Sequence, residues 1–528
     1  MFCRLSRARA HASLVISLAL FPAAMLSSQQ GGEAQAHAER GIESGRAGDL
    51  AQAEAELRAA VQLDPHNPEF LAALGTFLAI DKKLEESTGI FEEAVRFAPQ
   101  DVTSRRYLAA NLWQLHRYPE AKRQLQILLR QHPEDAPARL LLGMVSENSG
   151  DYETAASMLS SVPAEVVKQP QSIAALARSY YHLHRPESAR TTLAWLSSRP
   201  DKKQGMVLGA QIADQAGDFE TARNLLQSLK GPSPDPALDY PLALVDYHAA
   251  RYAESQSELQ QLIDSGMGTP QVLALLGWCY EKQNNIKAST AVLAEAIRLA
   301  PGQESIYLDL GNILLAHHSL PAALDLAKQT VTQFPQSAAA FDSKGQVEFG
   351  MAQFTDAIAS FQKALQLDPS DADAALGLAR AQSAAGLNAD ATTGFEADLQ
   401  RFPKDVRFRV EYASMLIKQA ETGDAAAEER AKRLLASTLT LDPSNPVALY
   451  QLGNLELNHG LFAEASQHLE RAVKVAPQSS EAHFALARAY RRLKRPADAA
   501  REMSAYGKLK SEDWQHQGMG PAADESGK

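Results

Sequence analysis

Hydrophobic positions in this chain recur every three or four residues, which is the period of an α-helix. Residues 272–301 show one complete unit of the pattern. One helical face is marked by Leu273, Leu276, Gly277 and Tyr280, and a second by Ile286, Ser289, Leu293, Ala296 and Leu299. Asn284 and Asn285 separate the two faces, and Pro301 ends the second because proline cannot continue a helical hydrogen-bond ladder. The pattern predicts two helices joined by a tight turn.

Prolines repeat this unit along the chain at intervals of 34 residues. Three series have this spacing: Pro65, Pro99 and Pro133; Pro301, Pro335, Pro369 and Pro403; and Pro443 and Pro477. Pro403 and Pro443 are 40 residues apart, six more than one unit, and we expect the extra residues, within 418–432, to lengthen a turn. We count fourteen units between about residue 34 and residue 510.

Turn-forming, capping and small residues recur at fixed places in these units. The expected turns include Gly48-Asp49, Gly150-Asp151 and Gly217-Asp218, and the expected helix starts include Asn67-Pro68, Thr269-Pro270 and Asn445-Pro446. Small residues recur at Gly75, Gly143, Gly277, Gly311, Gly345 and Gly453 in first helices, and at Ala121, Ala323, Ala357 and Ala465 in second helices. A glycine inside a helix costs about 1 kcal/mol relative to alanine. Its recurrence therefore predicts that the two helices of a pair cross closely.

The unit resembles the tetratricopeptide repeat, in which W-x2-L-G-x2-Y is followed by A-x3-F and then P over 34 residues. The second half of unit ten matches this family pattern well, at Ala357, Phe361, Ala364, Leu367 and Pro369. The resemblance implies an all-α, right-handed superhelical solenoid of stacked antiparallel helix pairs. We place units one to three at 34–135, units four to eight at 136–301 and units nine to fourteen at 302–510. Units five to seven are degenerate, and we expect the polar tail, 511–528, to be disordered.

The first residues resemble a secretory signal peptide. Arg4, Arg7 and Arg9 precede an apolar run that is shorter than the ~17–25 residues needed to span a bilayer. We predict a signal peptide over 1–28, with cleavage after residue 36 as the alternative. The protein is then periplasmic or extracellular, or is tethered to the membrane by this segment if it is not cleaved. Cys3 and Cys279 are the only cysteines, so no disulfide framework is expected.

Charge and motifs argue against catalysis and against nucleic-acid binding. The formal net charge of -11 is opposite to that of most phosphate-binding surfaces. The sequence contains no P-loop, G-x-G-x-x-G or G-x-S-x-G motif, and its histidines lack the spacing of metal ligands. We predict no catalytic residue, no cofactor, no metal and no membrane span after signal removal. Cys279 is expected to be a buried structural thiol.

The resemblance also implies where a partner binds. In this family, first helices form the concave face, and the corresponding positions here include Arg106, Trp113, Arg178, Tyr181, Gln346 and Phe349. The richest stretch, which we predict to bind a partner, comprises Tyr240, Leu244, Tyr247, Trp278, Leu308 and Asn312. Large aromatic side chains are frequent anchors of binding energy. The alternative is that some of these rings fill gaps in the core of degenerate units. Leu308 stands where the family's chaperone-binding clamp needs a lysine, so recognition of chaperone C-termini is not expected.

These observations predict an exported, non-catalytic scaffold that binds a protein or an extended peptide in the concave groove. The alternative is a dedicated periplasmic scaffold subunit of an exopolysaccharide-export or envelope-assembly machine. The sequence leaves open the partner and the oligomeric state.

Overall fold

The structure is a computed structural model, and it describes residues 32–199, 202–421 and 423–516. The predicted signal peptide lies outside the described residues. Within them the chain is helical, and we number 29 α-helices in chain order. No helix there is long and apolar enough to cross a membrane.

Over the described residues the helices follow one another in chain order as fourteen first and second helices, as the repeat count predicts. The first seven pairs are α1(Gly32–Arg46), α2(Leu50–Leu63), α3(Pro68–Ile80), α4(Leu84–Phe97), α5(Val102–Gln114), α6(Tyr118–Gln131), α7(Ala136–Asn148), α8(Tyr152–Ser160) with the short α9(Pro163–Val166), α10(Pro170–His182), α11(Pro186–Ala194) with a 3-10 turn at Trp195–Ser198, α12(Lys202–Gln215), α13(Phe219–Gln227), α14(Pro236–His248) and α15(Tyr252–Asp264). The other seven are α16(Pro270–Lys282), α17(Ile286–Leu299), α18(Glu304–Ala316), α19(Leu320–Gln333), α20(Ala338–Gly350), α21(Phe354–Leu367), α22(Ala372–Ala384), α23(Asn388–Arg401), α24(Val406–Glu421), α25(Ala425–Leu441), α26(Pro446–Asn458), α27(Phe462–Val475), α28(Ser480–Arg492) and α29(Pro496–His516).

Caps and turns lie where the sequence places them. The Asn67 side chain accepts hydrogen bonds from the backbone N–H groups of Glu69 and Phe70 at the start of α3, and Thr269 and Asn445 cap α16 and α26 in the same way. At the turns, Gly48, Gly150, Gly217 and Asn284 have positive φ, which a tight turn between two helices requires. The predicted helix starts and turns are confirmed at these positions.

Close crossing within a pair is confirmed for most of the glycines that can be checked. A Cβ added at Gly345 would lie 2.8 Å from Phe361, on the second helix of the same pair, and Gly75 meets Phe91 in the same way. Gly143 and Gly453 likewise meet second-helix leucines of their own pairs. At Gly311 the prediction is wrong: its nearest neighbour is the Ser343 hydroxyl of the next pair, at 3.5 Å, which is an ordinary van der Waals distance.

The additional residues after Pro403 lengthen two helices, whereas the sequence analysis placed them in a turn. α24 and α25 have 16 and 17 residues, compared with 13 and 14 in the preceding pair α22 and α23. The six extra residues are therefore helical, and the turn keeps its usual length. Alanine, glutamate and lysine dominate this stretch, and all three are good helix formers. At the other end, α29 continues to His516, six residues into the segment for which disorder was expected.

Short second helices in units four, five and six account for part of the loss of the 34-residue proline spacing between Pro133 and Pro301, whereas the second helix of unit seven, α15, has 13 residues. α8, α11 and α13 have nine residues each, compared with fourteen in α17. Val166 in α9 and Leu196 in the 3-10 turn are fully buried in the core that continues through these pairs.

The chain divides into two compact units, unit 1 up to Gln283 and unit 2 from Asn284. Each unit has its own stacked pairs and buried clusters, and the division falls between α16 and α17. The stacked antiparallel helix pairs confirm the predicted all-α repeat fold.

Candidate functional site

The predicted binding residues are divided between the two units. Tyr240, Leu244 and Tyr247 lie on α14 and Trp278 lies on α16, all in unit 1, whereas Leu308 and Asn312 lie on α18 in unit 2. All six side chains are half-buried. Whether the six bind a partner remains a prediction.

In unit 1, the three residues on α14 share one helical face. Burial raises the pKa of Tyr240, and the Tyr247 ring lies 5.5 Å from the ring of Tyr252 at the start of α15. Tyr247 therefore packs partly against the second helix of its own pair. This contact fits the core-filling alternative better than it fits a fully open anchor.

Trp278 lies in α16 one turn before Lys282, whose ammonium nitrogen is 6.0 Å from the indole ring centroid. The neighbouring Cys279 is free and fully buried, as predicted, and its thiol donates to the Ser255 hydroxyl across 3.2 Å. Burial raises the pKa of this thiol to about 11. The cysteine is thus neutral and structural.

Two other side chains expected on the inner face make hydrogen bonds to neighbouring repeats. The Trp113 ring N–H donates to Asn148 across 2.9 Å, and the Tyr181 hydroxyl donates to Asp218 across 2.9 Å. Each bond reaches the following pair of helices. Tyr181 and Asp218 also line a cavity of about 630 Å³ beside the turns of unit 1, where Arg190 pairs with Asp218 at 2.8 Å. Tyr181 and Arg190 thus both use Asp218 as their partner in this cavity.

Unit 2 contains a cavity on the surface formed by the first helices α18, α20, α22 and α24, which we call its first-helix face. The cavity has a volume of about 370 Å³, and we call it the groove cavity. Its lining includes Gln346, Phe349, Asp373, Leu376, Arg380 and Arg407. Gln346 and Phe349 are two of the positions that the family resemblance directs to the concave face. The structure therefore brings them together with residues of the next two pairs.

Arginine and aromatic side chains shape one wall of the groove cavity. The Arg380 guanidinium lies over the Phe349 ring at 5.1 Å from its centroid, a cation–π geometry. Its Nε lies 3.7 Å from a carboxylate oxygen of Glu411. Arg407 pairs with Asp373 and with Asp405, each at 2.6 Å. This wall therefore consists of the Phe349 ring covered by the Arg380 guanidinium, with Arg407 beside it, paired with two carboxylates.

Asp342 lies on the same face of α20, four residues before Gln346. It is 9% exposed, and the Gln346 side-chain N–H donates to its Oδ2 across 2.6 Å. Its other oxygen, Oδ1, is buried and has no hydrogen-bond partner among the described residues. Burial and the carboxylates of Asp371 and Asp373 raise the pKa of Asp342 to about 7, against the opposing effect of the Gln346 hydrogen bond.

Sequence reasoning missed Asp342, Asp373, Arg380 and Arg407. Helical spacing was the one sequence signal that could have indicated them. Asp342, Gln346 and Phe349 share one face of α20. In the same way, Asp373, Leu376 and Arg380 share one face of α22. That spacing does not reveal which of several inward faces encloses a cavity. No group of three or more His, Cys, Asp or Glu side chains in the described ranges could hold a metal ion.

Comparison with known proteins identifies the family. A sequence model described as tetratricopeptide repeat matches residues 39–102, 108–164, 240–304 and 450–509, and a second one of that description matches residues 349–409. Together they cover more than half of the chain. The chain belongs to the tetratricopeptide repeat family. Tetratricopeptide repeat proteins generally mediate protein–protein interactions.

Individual relatives match parts of this tetratricopeptide repeat protein. It is 26% identical to human Protein O-mannosyl-transferase TMTC3 over 197 residues, which are 37% of this chain and 21% of the relative. It is 26% identical to Cellulose synthase operon protein C of Xanthomonas axonopodis pv. citri (strain 306) over 300 residues, 51% of this chain and 19% of the relative. The chain thus spans about a fifth of the length of these relatives. Among solved structures, yeast Tom70 is 17% identical with a TM-score of 0.40, covering 93% of this chain and 97% of that one.

Proposed function

We propose that this tetratricopeptide repeat protein is an exported, non-catalytic scaffold that binds a partner protein, or an extended segment of one, on the first-helix face of unit 2. The groove cavity is the observation that carries this proposal. It combines the Phe349 ring, which offers apolar contact area, with the Gln346 side chain, whose amide can pair with a peptide backbone. A volume of about 370 Å³ accommodates one or two side chains of a bound segment.

Site-specific photo-cross-linking tests this proposal in the full-length protein. A photoreactive amino acid replaces Gln346 on α20 or, as the matched control, Gln362 on α21, which is exposed on the second helix of the same pair. After irradiation in the native host, position 346 should yield a discrete protein adduct that position 362 does not. Equal adducts at both positions, or none at position 346, would contradict binding at the groove cavity.

Export is the second part of the proposal, and it rests on the arginine-rich, apolar beginning of the sequence. Similarity to Cellulose synthase operon protein C over half of the chain favours one alternative in particular, a dedicated periplasmic scaffold subunit of an exopolysaccharide-export or envelope-assembly machine. The identity of the cross-linked partner distinguishes the general scaffold from the dedicated subunit. A polysaccharide-export or envelope-assembly component at position 346 supports the alternative, and a partner from outside such machines supports the general scaffold.

A further inference from the structure

We infer that the groove cavity of unit 2 selects a positively charged side chain, lysine or arginine, of the bound segment, and that Asp342 and Asp373 are the carboxylates that recognise it. This inference rests on the proposed function, because it names the chemistry of the partner at the same site.

The first step is that Asp342 has an unused acceptor in a place where leaving it unused is costly. The side chain is nine-tenths buried, and its Oδ1 has no hydrogen-bond partner within the described residues. A buried polar atom without a partner typically costs ~1–3 kcal/mol. No described lysine or arginine pairs with this carboxylate, and the Gln346 amide satisfies only Oδ2. A ligand that donates a hydrogen bond to Oδ1 therefore removes a cost that the free protein bears.

The second step is the sign of the charge around this atom. The carboxylates of Asp371 and Asp373 at the start of α22 add to the negative potential at Asp342. Asp371 also accepts the backbone N–H groups of Asp373 and Ala374, so it is held in place as a helix cap. Negative potential in a partly buried cleft attracts a cation more strongly than it does in open solvent.

The two arginines that line the cavity do not make the potential around Asp342 positive. Arg407 is paired with Asp373 and with Asp405, and the side chain of Arg380 lies near Glu411. Each guanidinium thus has at least one carboxylate of its own, whereas Asp342 has no cation. The uncompensated charge of the cavity is negative, and a basic side chain complements it.

The third step is access. Asp342 does not itself line the cavity, but Gln346 lines it and donates to Asp342 Oδ2, so the glutamine connects the carboxylate to the open space. A glutamine side chain rotates about single bonds, so an arriving ammonium or guanidinium group, which carries several N–H donors, can take the place of its amide on Oδ2 and also donate to Oδ1. Asp373 lines the cavity directly, and the Phe349 ring can take the aliphatic stem of the ligand side chain.

Fluorescence anisotropy with defined peptides tests this inference. The probes are fluorescein-labelled decapeptides in which serine alternates with lysine, with glutamine or with glutamate, added to the full-length protein at fixed ionic strength. At pH 8 the lysine peptide should bind at least about tenfold more tightly than the glutamine peptide, and the glutamate peptide should bind most weakly.

Charge-neutralising variants locate the effect. Asp342→Asn and Asp373→Asn should each weaken binding of the lysine peptide about fivefold or more, whereas Asp390→Asn, exposed on α23, should not. For wild type, affinity should fall by up to about tenfold from pH 8 to pH 6 as Asp342 takes up a proton, and Asp342→Asn should lose this dependence. Equal affinity for the lysine and glutamine peptides, or equal loss in Asp390→Asn, would overturn the inference.

The cross-linked partner distinguishes failure of this inference from failure of the proposed function. If Phe349→Ala weakens the partner's binding and Asp342→Asn does not, the groove binds its partner but selects no cation there. If neither substitution changes binding, the proposed function fails as well.

Discussion

The side-chain N–H of Gln346 donates to Asp342 Oδ2 across 2.6 Å, one helical turn away on α20. This bond connects a side chain that lines the groove cavity to a buried acid, and it leaves the other carboxylate oxygen without a partner. Because Asp342 is ionisable and is bonded to a side chain that lines the cavity, its protonation connects ligand binding and stability to pH. The simplest way to measure this effect is to follow the stability of the protein as a function of pH.

Asp342→Asn should stabilise the protein at pH 8 and change it little at pH 4. The pKa of Asp342 is raised to about 7 by burial and by Asp371 and Asp373, whereas an unfolded aspartate titrates near ~3.9. The folded state therefore holds this proton more tightly, and the stability it contributes is complete below about pH 4 and is lost as the pH rises to about 7. Thermal unfolding followed by circular dichroism at both pH values checks this, with Asp390→Asn as the control. A variant that melts below wild type at pH 8 would contradict it.

Two glycines at corresponding places in neighbouring pairs should respond oppositely to alanine. At Gly345 the new methyl group would lie 2.8 Å from Phe361, so overpacking should destabilise the protein by ~1–3 kcal/mol. At Gly311 the new methyl group would have no neighbour closer than the Ser343 hydroxyl oxygen at 3.5 Å. The higher helix propensity of alanine should therefore stabilise the protein by up to ~1 kcal/mol.

Hydrogen exchange should confine the Gly345→Ala damage to the pairs around α20 and α21, because each repeat contacts only its neighbours. Protection lost evenly along all fourteen pairs, or destabilisation of the same size at Gly311, would argue against this packing.

Much of the fold could be predicted from the sequence because each repeat carries its own local signals. Asn67 caps α3, and Gly150 turns between α7 and α8, as the spacing requires. The stretch 418–432 was misread because its extra residues are good helix formers that extend α24 and α25. Short second helices such as α13 were not predicted, because α13 ends at Gln227, five residues before the next proline, Pro232.

The groove cavity could be predicted only in part. Gln346 and Phe349 were expected on the inner face from their places in the repeat. Arg380 and Arg407 were not, because their importance arises where side chains of three consecutive pairs converge. The helical spacing places Asp342 on the same face as Gln346, but its burial gives no signal in a single sequence, since an aspartate in a helix is usually exposed.

Trp278→Ala separates the two interpretations of the aromatic residues in unit 1. If Trp278 is a binding anchor, the substitution should leave thermal stability nearly unchanged and weaken partner binding by at least ~2 kcal/mol. Calorimetry and a binding titration measure the two effects. A loss of stability of ~3–5 kcal/mol, typical of a truncated core aromatic, would show that the ring belongs to the core.

The mature protein should begin near Gln29 or near His37. Arg4, Arg7 and Arg9 before a short apolar run are typical of a segment that is removed during export. N-terminal sequencing of protein purified from the native host determines the first residue. Recovery of intact Met1 from a soluble cytoplasmic fraction would contradict export.

The most direct test of partner binding at the groove cavity is a titration of the cross-linked partner against Phe349→Ala, with Phe97→Ala as the control. Phe97 is 36% exposed at the end of α4 in unit 1 and does not line the groove cavity. Isothermal titration calorimetry should show that Phe349→Ala weakens binding by ~2 kcal/mol or more, about thirtyfold in Kd, while Phe97→Ala binds as wild type does. Equal Kd values for wild type and Phe349→Ala, with both proteins folded, would contradict the assignment of the groove cavity as the binding site.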